Sequence, residues 1–294
     1  MGLRLLLLVL INVSVCSLFA NIRVAGPANF RDTLSILQAG DTLYLVPGNY
    51  VQSLRIENLN GTVQHPILIA GQPGQLKPIF LGNSCCNTIS LKLSSFIHLK
   101  DLVCDGQGIA GIDALKAEGN STQWTHDVEV EGLEIYNYGA DQQNVGISTK
   151  CPSWNWWVHH NQIIAAGTGM YFGNSDGEQP FVNSIIEYNL VLNTTGYNCQ
   201  VKHQNISTRN LAMGMPPIGK TIIRYNVFSK DQNASSGNLA RPNLLVGNFP
   251  ASGDGSSDYY EIYGNLFFQN PNEALFQGTG NLGFYGYLNQ PHSW

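Results

Sequence analysis

The residue types best suited to catalysis in this chain lie in one short stretch and the segments after it. Lys202 and His203 are adjacent, Arg209 follows in the next turn, and Arg241 begins the next strand-like segment. Elimination on a uronic acid needs a base that removes the proton beside the carboxylate, and cations that stabilise the resulting negative charge. We therefore predict catalytic roles for Lys202, His203 and Arg241, with Arg209 binding substrate. The alternative is a surface Lys-His pair near unrelated arginines.

Four lysines occupy similar places in successive strand-like segments. They are Lys92, Lys116, Lys150 and Lys202, and Gly173 takes the corresponding place between the last two. Because alternate residues of a strand face outward, this alignment predicts a ladder of lysines on one exposed sheet face. Such a ladder suits an extended polyanion, so we predict that Lys92, Lys116 and Lys150 bind an acidic polysaccharide. A solvated face that binds nothing is the alternative.

Aromatic residues near this face could stack on sugar rings, although aromatics inside a repeat fold more often fill the core. These residues are Trp154, Trp156, Trp157, Tyr171 and Phe172. Trp156 and Trp157 are adjacent on a strand, so we expect one to face the core and the other to face outward.

Two acidic turns make calcium a possible cofactor, because calcium prefers oxygen ligands. One turn contains Asn174, Asp176 and Glu178, and the other contains Asp254 and Asp258. Neither matches an ordered calcium-loop motif, and Asp and Asn are common in turns without a metal. The adjacent His159 and His160 are not expected to share an ion, since neighbouring strand residues face opposite sides.

A recurring sequence motif predicts the elements that position these residues. This motif, called the bend phrase, is one bend residue followed by a short apolar run. The phrase begins at Gly132, Asn161, Asn189, Asn226 and Asn265, with steps of 28 to 39 residues. Coils of three short strands stack about 4.8 Å apart, and insertions in their turns make the period elastic. Asparagine and glycine both tolerate a left-handed bend, and stacked amides can hydrogen-bond along a column. We predict an all-β, right-handed parallel β-helix with structural asparagines.

The amino terminus predicts export. Arg4 precedes an apolar run and then small residues up to Ala20, the pattern of a secretory signal peptide. We therefore predict a secreted, extracellular protein with a signal peptide at residues 1–20 and a single β-helix domain at 21–294. Residues 29–38 show helical periodicity and predict a short amino-terminal helical cap. No other stretch is apolar for the roughly 20 residues that a membrane span needs.

Composition restricts the binding partners. Of the 294 residues, 43% are hydrophobic and 12% are charged, which suits one sizeable core. Loss of Arg4 with the signal peptide changes the formal charge from −5 to −6, which disfavours nucleic-acid binding. We expect a monomer. Spacing assigns no pairing to the cysteines that follow the signal peptide, Cys85, Cys86, Cys104, Cys151 and Cys199.

Five Asn-x-Ser/Thr triplets make the chain a candidate glycoprotein if its source glycosylates proteins. They begin at Asn60, Asn120, Asn193, Asn205 and Asn233. A glycan on Asn205 would crowd Lys202, so either that triplet is unused or Lys202 is not catalytic.

Several segments resemble right-handed parallel β-helix proteins of the chondroitinase B and alginate lyase type. They are residues 39–50, residues 61–62 with 65–70, and residues 96–102. The resemblance implies that a lysine after a hydrophobic strand acts as base, that an arginine one coil later supports substrate, and that acidic residues hold calcium. It assigns the base to Lys202. Tyr197 or Asn198 stands where the acidic residue is expected, and residues 246–247 fill the arginine position. Residues 202–205, 240–247 and 270–278 look more like secreted β-helix repeat proteins without an assigned reaction.

The leading functional hypothesis is a secreted, carbohydrate-active β-helix, a polysaccharide lyase acting on uronate-containing polysaccharide by β-elimination. The alternative is a non-catalytic glycan-binding or surface protein. A pectin-type hydrolase ranks lower, since the lysine column carries no cluster of aspartates. Residues 286–294 contain neither a bend phrase nor a cap, which predicts a shortened version of a longer β-helix.

Overall fold

A computed structural model of the protein describes residues 20–205, 209, 212–280 and 282. The described chain winds through three parallel sheets of eleven, eight and eight strands. Each coil contributes strands to all three sheets, and each strand pairs with its counterpart one coil away. This arrangement confirms the predicted all-β, parallel β-helix. The predicted signal peptide lies outside the described residues, apart from Ala20.

The first sheet contains the strands Ile22–Ala25, Thr42–Leu45, Ile67–Gly71, Ser95–Lys100, Thr125–Glu131, Trp157–His159, Ile185–Glu187, Lys220–Arg224 and Tyr259–Tyr263, with Ser153–Trp154 and Phe181–Val182 pairing beside this path. The second sheet contains Asn49–Tyr50, Ile79–Leu81, Val103–Asp105, Glu134–Tyr136, Gln162–Ile164, Leu190–Leu192, Val227–Ser229 and Leu266–Phe267. The third sheet contains Leu54–Glu57, Ile89–Lys92, Leu115–Ala117, Val145–Thr149, Thr168–Phe172, Cys199–Val201, Leu244–Val246 and Phe276–Gly278.

The strands form because apolar and polar residues alternate, which places apolar side chains inside the coil and polar ones outside. In Thr125–Glu131, Val128 and Val130 are buried while Glu129 and Glu131 face outward. Val130 lies in register with Val158, and equivalent residues of later coils continue this internal stack. The interior is therefore a continuous apolar column, and the outer sheet faces are left for function. Among the described residues, no helix is long and apolar enough to cross a membrane.

The asparagine column is structural, as predicted, but the left-handed bend lies one residue earlier than expected. Asn161 donates to the Asn189 side-chain oxygen through both its backbone N–H and its Nδ2, at 3.0 and 2.9 Å. Asn226 and Asn265 continue the column in the same way. The positive φ angles belong to the residues immediately before, such as His160 at 55° and Tyr188 at 54°.

The prediction that Gly132 occupies the same position as the asparagines of the later coils is wrong by one residue. The Leu133 backbone N–H donates to Asn161 Oδ1, and Glu134 pairs with Gln162, so Leu133 is the true counterpart of Asn161. Gly132 has a φ of 67° and occupies the left-handed position, in line with His160.

A short helix, Phe30–Leu34, occurs within the predicted stretch 29–38. Phe30 and Leu34 are buried, and the Phe30 ring packs against Tyr50 and Phe80 with centroids 5.2 and 5.8 Å away. The helix is shorter than predicted. Its role as a cap stays a prediction.

A 3-10 turn at Gly237–Leu239 is the other helical element that the described chain contains. Cys85 and Cys86 form a disulfide between adjacent residues. Cys104, Cys151 and Cys199 are buried and free.

Candidate active site

The outer face of the third sheet brings together Lys150, Tyr171 and Lys202. Thr149 pairs with Phe172, and Phe172 pairs with Val201, so the residues that follow them, Lys150, Gly173 and Lys202, fall in one row. Thr149, Phe172 and Val201 are buried inside the coil, and alternate residues of a strand face opposite sides, so the row that follows them faces outward. The predicted alignment of Lys150, Gly173 and Lys202 is therefore confirmed by the strand register.

Tyr171 lies between the two lysines. The Lys150 Nζ is 3.5 Å from the centroid of the Tyr171 ring, and the Lys202 Nζ is 5.9 Å from it. The Tyr171 hydroxyl lies 3.3 Å from the Ser175 hydroxyl, which holds the phenol towards the following turn. Gly173, with a φ of 92°, leaves room for this arrangement, since a Cβ there would lie 3.1 Å from the Lys202 Cβ.

Burial tunes these groups towards proton transfer. It lowers the pKa of Lys150 to about 8; the negative charge of Asp113 opposes this shift, and the charges of Lys116 and Lys202 favour it. Burial also lowers the pKa of Lys202 and raises that of Tyr171. At mildly alkaline pH the site therefore contains a neutral amine, which can accept a proton, beside a phenol that still carries one.

The prediction that all four lysines share one column is wrong, because Lys116 belongs to a neighbouring row. Lys116 pairs with Ser90 and Ser148, two residues before the row of Lys150. The Glu118 backbone N–H bonds to Leu91 and the Lys150 N–H bonds to Ala117, so Glu118 occupies the position next to Lys150. The sequence alignment missed this shift, since loop lengths between strands vary.

The remaining lysines of the predicted ladder have acidic partners. Lys92 forms an ion pair with Glu57 at 3.3 Å. The strand of Lys92 lies two strands away from the strand that precedes Lys150. Lys116 lies 3.4 Å from Asp113, which also accepts a hydrogen bond from the Ser148 hydroxyl at 2.9 Å. Lys116 is thus near Lys150 and can contribute positive charge to the site, whereas Lys92 lies apart from it.

The two predicted arginines lie outside this group. Arg209 is 4% exposed and is bound in an ion pair with the buried Asp258. Its guanidinium also donates to the Pro216 carbonyl. A buried arginine with these partners supports the fold and is not available to a substrate, so the substrate-binding prediction for Arg209 is wrong.

Arg241 and His203 differ in their relation to Lys202. Leu244 pairs with Cys199, so Arg241 precedes these strands while Lys202 follows them, at the opposite end. The Arg241 guanidinium donates to local backbone carbonyls. The structure therefore does not bring Arg241 to Lys202. The His203 ring lies against Gly177, at the rim of the site.

In the two predicted calcium loops, protein groups already engage the carboxylate oxygens of Asp176 and Asp258. Asp176 accepts hydrogen bonds from Asn174 and from the Glu178 backbone N–H. Asp258 is paired with Arg209. In the described part of the chain, potential metal ligands converge instead on the outer face of the first sheet, at His98, Glu129 and Glu131.

His159 and His160 lie closer than expected. Their Nδ1 atoms are 2.8 Å apart. The two rings meet because His160 occupies the left-handed bend, which breaks the alternation of a regular strand. The argument that excluded a shared site for adjacent histidines is therefore wrong in this place.

Most of the aromatic candidates belong to the interior. Trp154, Trp156 and Phe172 are buried, whereas Trp157 is 41% exposed on the first sheet. One tryptophan of the adjacent pair thus faces inward and the other outward, as predicted. Tyr171 is the aromatic residue of this group that reaches the lysines. The sequence alignment missed its contact with the lysines, although Tyr171 lies two residues before Gly173 of the lysine row, which indicates that both face the same side.

Comparison with known proteins supports the fold. No protein-family model and no curated protein matches the sequence. An alginate lyase from Paenibacillus sp. str. FPU-7 is similar in structure, with a TM-score of 0.53 and 16% identity, covering 88% of this chain and 98% of that protein. A GH136 lacto-N-biosidase from Eubacterium ramulus has a TM-score of 0.53 and 13% identity over 83% of this chain. This chain spans 60% of the length of that biosidase. At these levels of sequence identity, the similarity shows a shared β-helix fold and nothing further.

Proposed function

We propose that the protein is a secreted polysaccharide lyase that cleaves uronate-containing polysaccharide by β-elimination at Lys150, Tyr171 and Lys202. The observation that carries the proposal is the Lys150 amine, 3.5 Å from the Tyr171 ring centroid and with a pKa lowered to about 8 by burial. The predicted signal peptide supports secretion. The structural similarity to an alginate lyase is consistent with this substrate class.

The reaction follows from the protonation states of the two central groups. The neutral Lys150 amine removes the proton from the carbon beside the uronate carboxylate, and the electron pair moves onto that carboxylate. The C4–O bond then breaks to form a C4–C5 double bond, and the Tyr171 hydroxyl gives its proton to the departing oxygen. The ammonium groups of Lys116 and Lys202 stabilise the charge that develops on the carboxylate. Lys150 thus takes the role that the sequence assigned to Lys202.

The test incubates purified protein with alginate, chondroitin sulfate, dermatan sulfate and pectate, with and without calcium, and follows the ultraviolet absorbance of unsaturated uronate. Lys150→Met and Tyr171→Phe should each lower kcat by about 10²–10⁴-fold, the usual contribution of a general base or acid. Lys202→Ala should mainly raise KM. Lys220→Met is the matched control, because Lys220 pairs with Glu261 on the first sheet, and it should retain activity.

The pH dependence adds a second readout. The rate for the wild-type protein should rise with pH through about 8, where Lys150 loses its proton. Product formation that is unaffected by Lys150→Met would overturn the assignment of this base. A rate that falls over the same range would contradict it as well.

A non-catalytic glycan-binding protein is the second candidate. It is favoured by the positions of Arg209 and Arg241, because neither brings a guanidinium to Lys150 and Lys202 that could hold a reacting carboxylate through two hydrogen bonds. Calorimetric binding of an acidic polysaccharide without product would support this candidate over the lyase.

A further inference from the structure

The outer face of the first sheet carries a second group of chemically capable side chains. His98 and Glu129 are paired in register on the strands Ser95–Lys100 and Thr125–Glu131, and Glu131 is the next outward residue after Glu129. The His98 Nε2 lies 2.8 Å from Glu131 Oε2 and 3.5 Å from Glu129 Oε1. One donor atom from each of the three residues lies within 4.8 Å of the other two. The strand register thus places one imidazole and two carboxylates around a common point.

Residues outside this group hold the ligands in place. Lys100 donates to the Glu131 Oε1 at 2.8 Å, which leaves Oε2 directed towards His98. The His159 Nε2 lies 3.0 Å from Glu129 Oε1, and its Nδ1 contacts His160. His159 is 4% exposed, so its ring is fixed by the surrounding structure. Outer partners of this kind orient the ligands of metal centres.

The two carboxylates differ in their cationic partners. Lys100 Nζ lies 2.8 Å from Glu131 Oε1, whereas the ion pairs of Glu129 among the described residues are with the imidazoles of His98 and His159.

We propose that His98, Glu129 and Glu131 bind a divalent transition-metal ion, for which zinc is the best match, with water completing the coordination. Zinc accepts imidazole nitrogen and carboxylate oxygen at about 2.0–2.2 Å in a tetrahedron, whose neighbouring ligand atoms are about 3.3 Å apart. The distances from His98 Nε2 to Glu131 Oε2, 2.8 Å, and to Glu129 Oε1, 3.5 Å, lie on either side of this value. Calcium prefers six to eight oxygen ligands and fits this set less well.

The site is accessible to an ion and a water molecule. The side chains of His98, Glu129 and Glu131 are 22%, 30% and 23% exposed, respectively. Three protein ligands with one open position are typical of zinc centres that bind a water or a substrate, whereas structural zinc sites are usually closed by four. His159 is a positioning residue in this proposal, because it contacts Glu129 and supplies no ligand.

The test measures zinc binding to tag-free, full-length protein that has first been dialysed against a chelator. Equilibrium dialysis with elemental analysis should give one zinc per wild-type chain, with calcium at least 10-fold weaker. His98→Ala and Glu129→Gln should each weaken zinc binding at least 10-fold. His65→Ala is the matched control, since His65 is exposed and lies outside this group, and it should bind as the wild type does.

Two further measurements separate ligation from a general structural effect. His159→Ala should retain one zinc per chain but bind it 10–100-fold more weakly, as expected for an outer partner. At a zinc concentration that raises the Tm of the wild type and of His65→Ala, Glu129→Gln should show a smaller rise in Tm. Glu129→Gln is nearly isosteric, and its Tm without metal shows whether it folds. Zinc binding by Glu129→Gln equal to that of the wild type, or calcium binding as tight as zinc, would overturn the proposal.

Discussion

Replacing Asn189 by alanine tests the asparagine column that holds the coils in register. Asn189 is buried at the centre of this column. Its Nδ2 donates to the Val158 carbonyl and to Asn226 Oδ1, both at 2.9 Å. Its Oδ1 accepts the Asn161 backbone N–H at 3.0 Å and the Asn161 Nδ2 at 2.9 Å. One side chain thus links three successive coils by four hydrogen bonds.

The expected loss of stability follows from the groups that Asn189→Ala leaves without this partner. The Asn161 Nδ2 keeps its bond to the Val130 carbonyl, and Asn226 Oδ1 keeps the Asn189 backbone N–H. The buried Asn161 N–H loses the oxygen that accepts its hydrogen bond, and the Val158 carbonyl loses one of its donors. An unsatisfied buried group costs about 1–3 kcal/mol and a lost hydrogen bond about 0.5–1.5 kcal/mol, so the free energy of unfolding should fall by about 2–4 kcal/mol.

Urea denaturation followed by tryptophan fluorescence and circular dichroism measures this change, provided that the m value stays constant. Asn265→Ala, at the half-buried end of the column, should lose only about 1–2 kcal/mol, because water can replace part of its bonding. Asn233→Ala changes an exposed side chain and should change the free energy of unfolding by no more than about 0.5 kcal/mol. All three proteins are produced in a host without N-glycosylation. A loss for Asn189→Ala no larger than that for Asn265→Ala would refute the reasoning.

Three further results are expected. Arg209→Met should lower stability by about 3–5 kcal/mol in urea denaturation, since it leaves Asp258 buried without its partner; a changed substrate affinity at unchanged stability would contradict this role. Burial lowers the pKa of Lys150 to about 8 and that of Lys230 to about 7, so the unfolded state binds more protons between pH 7 and about 10. Stability should therefore rise with pH across that window, and Lys150→Met or Lys230→Met should each flatten the rise in a pH series of melts. Gly173→Ala should lower activity and stability through both its φ of 92° and its close approach to Lys202, whereas Gly74→Ala, with a φ of 73° and open space, should lower stability alone and by less.

The fold could be predicted from the sequence because its determinants are local and repeat. Alternating apolar residues specify strands, and a phrase that recurs every few tens of residues specifies stacked coils. The column of Asn161, Asn189 and Asn226 was found in this way, since each coil repeats the same bend. The one-residue error at Gly132 arose because glycine and asparagine share a preference for left-handed backbone, which made two neighbouring positions look equivalent.

The candidate site was predicted less well, because it depends on how coils of unequal length align. Lys116 seemed to belong to the row of Lys150, but the strand pairing sets it two residues earlier, opposite Ser148. The sequence placed Arg209 near Lys202 by proximity along the chain, and burial assigns it to Asp258 instead.

The sequence by itself determined that this chain forms a parallel β-helix with structural asparagines, because periodic alternation and bend preferences are properties of single segments. Only the tertiary structure decided which side chains meet, as with Lys150 and Tyr171 on one face and His98, Glu129 and Glu131 on another. The physical reason is that strand register across coils fixes these neighbours, and the loops that set the register vary in length without a pattern in the sequence. Burial of Lys150, which lowers its pKa, likewise results from packing that no single segment specifies.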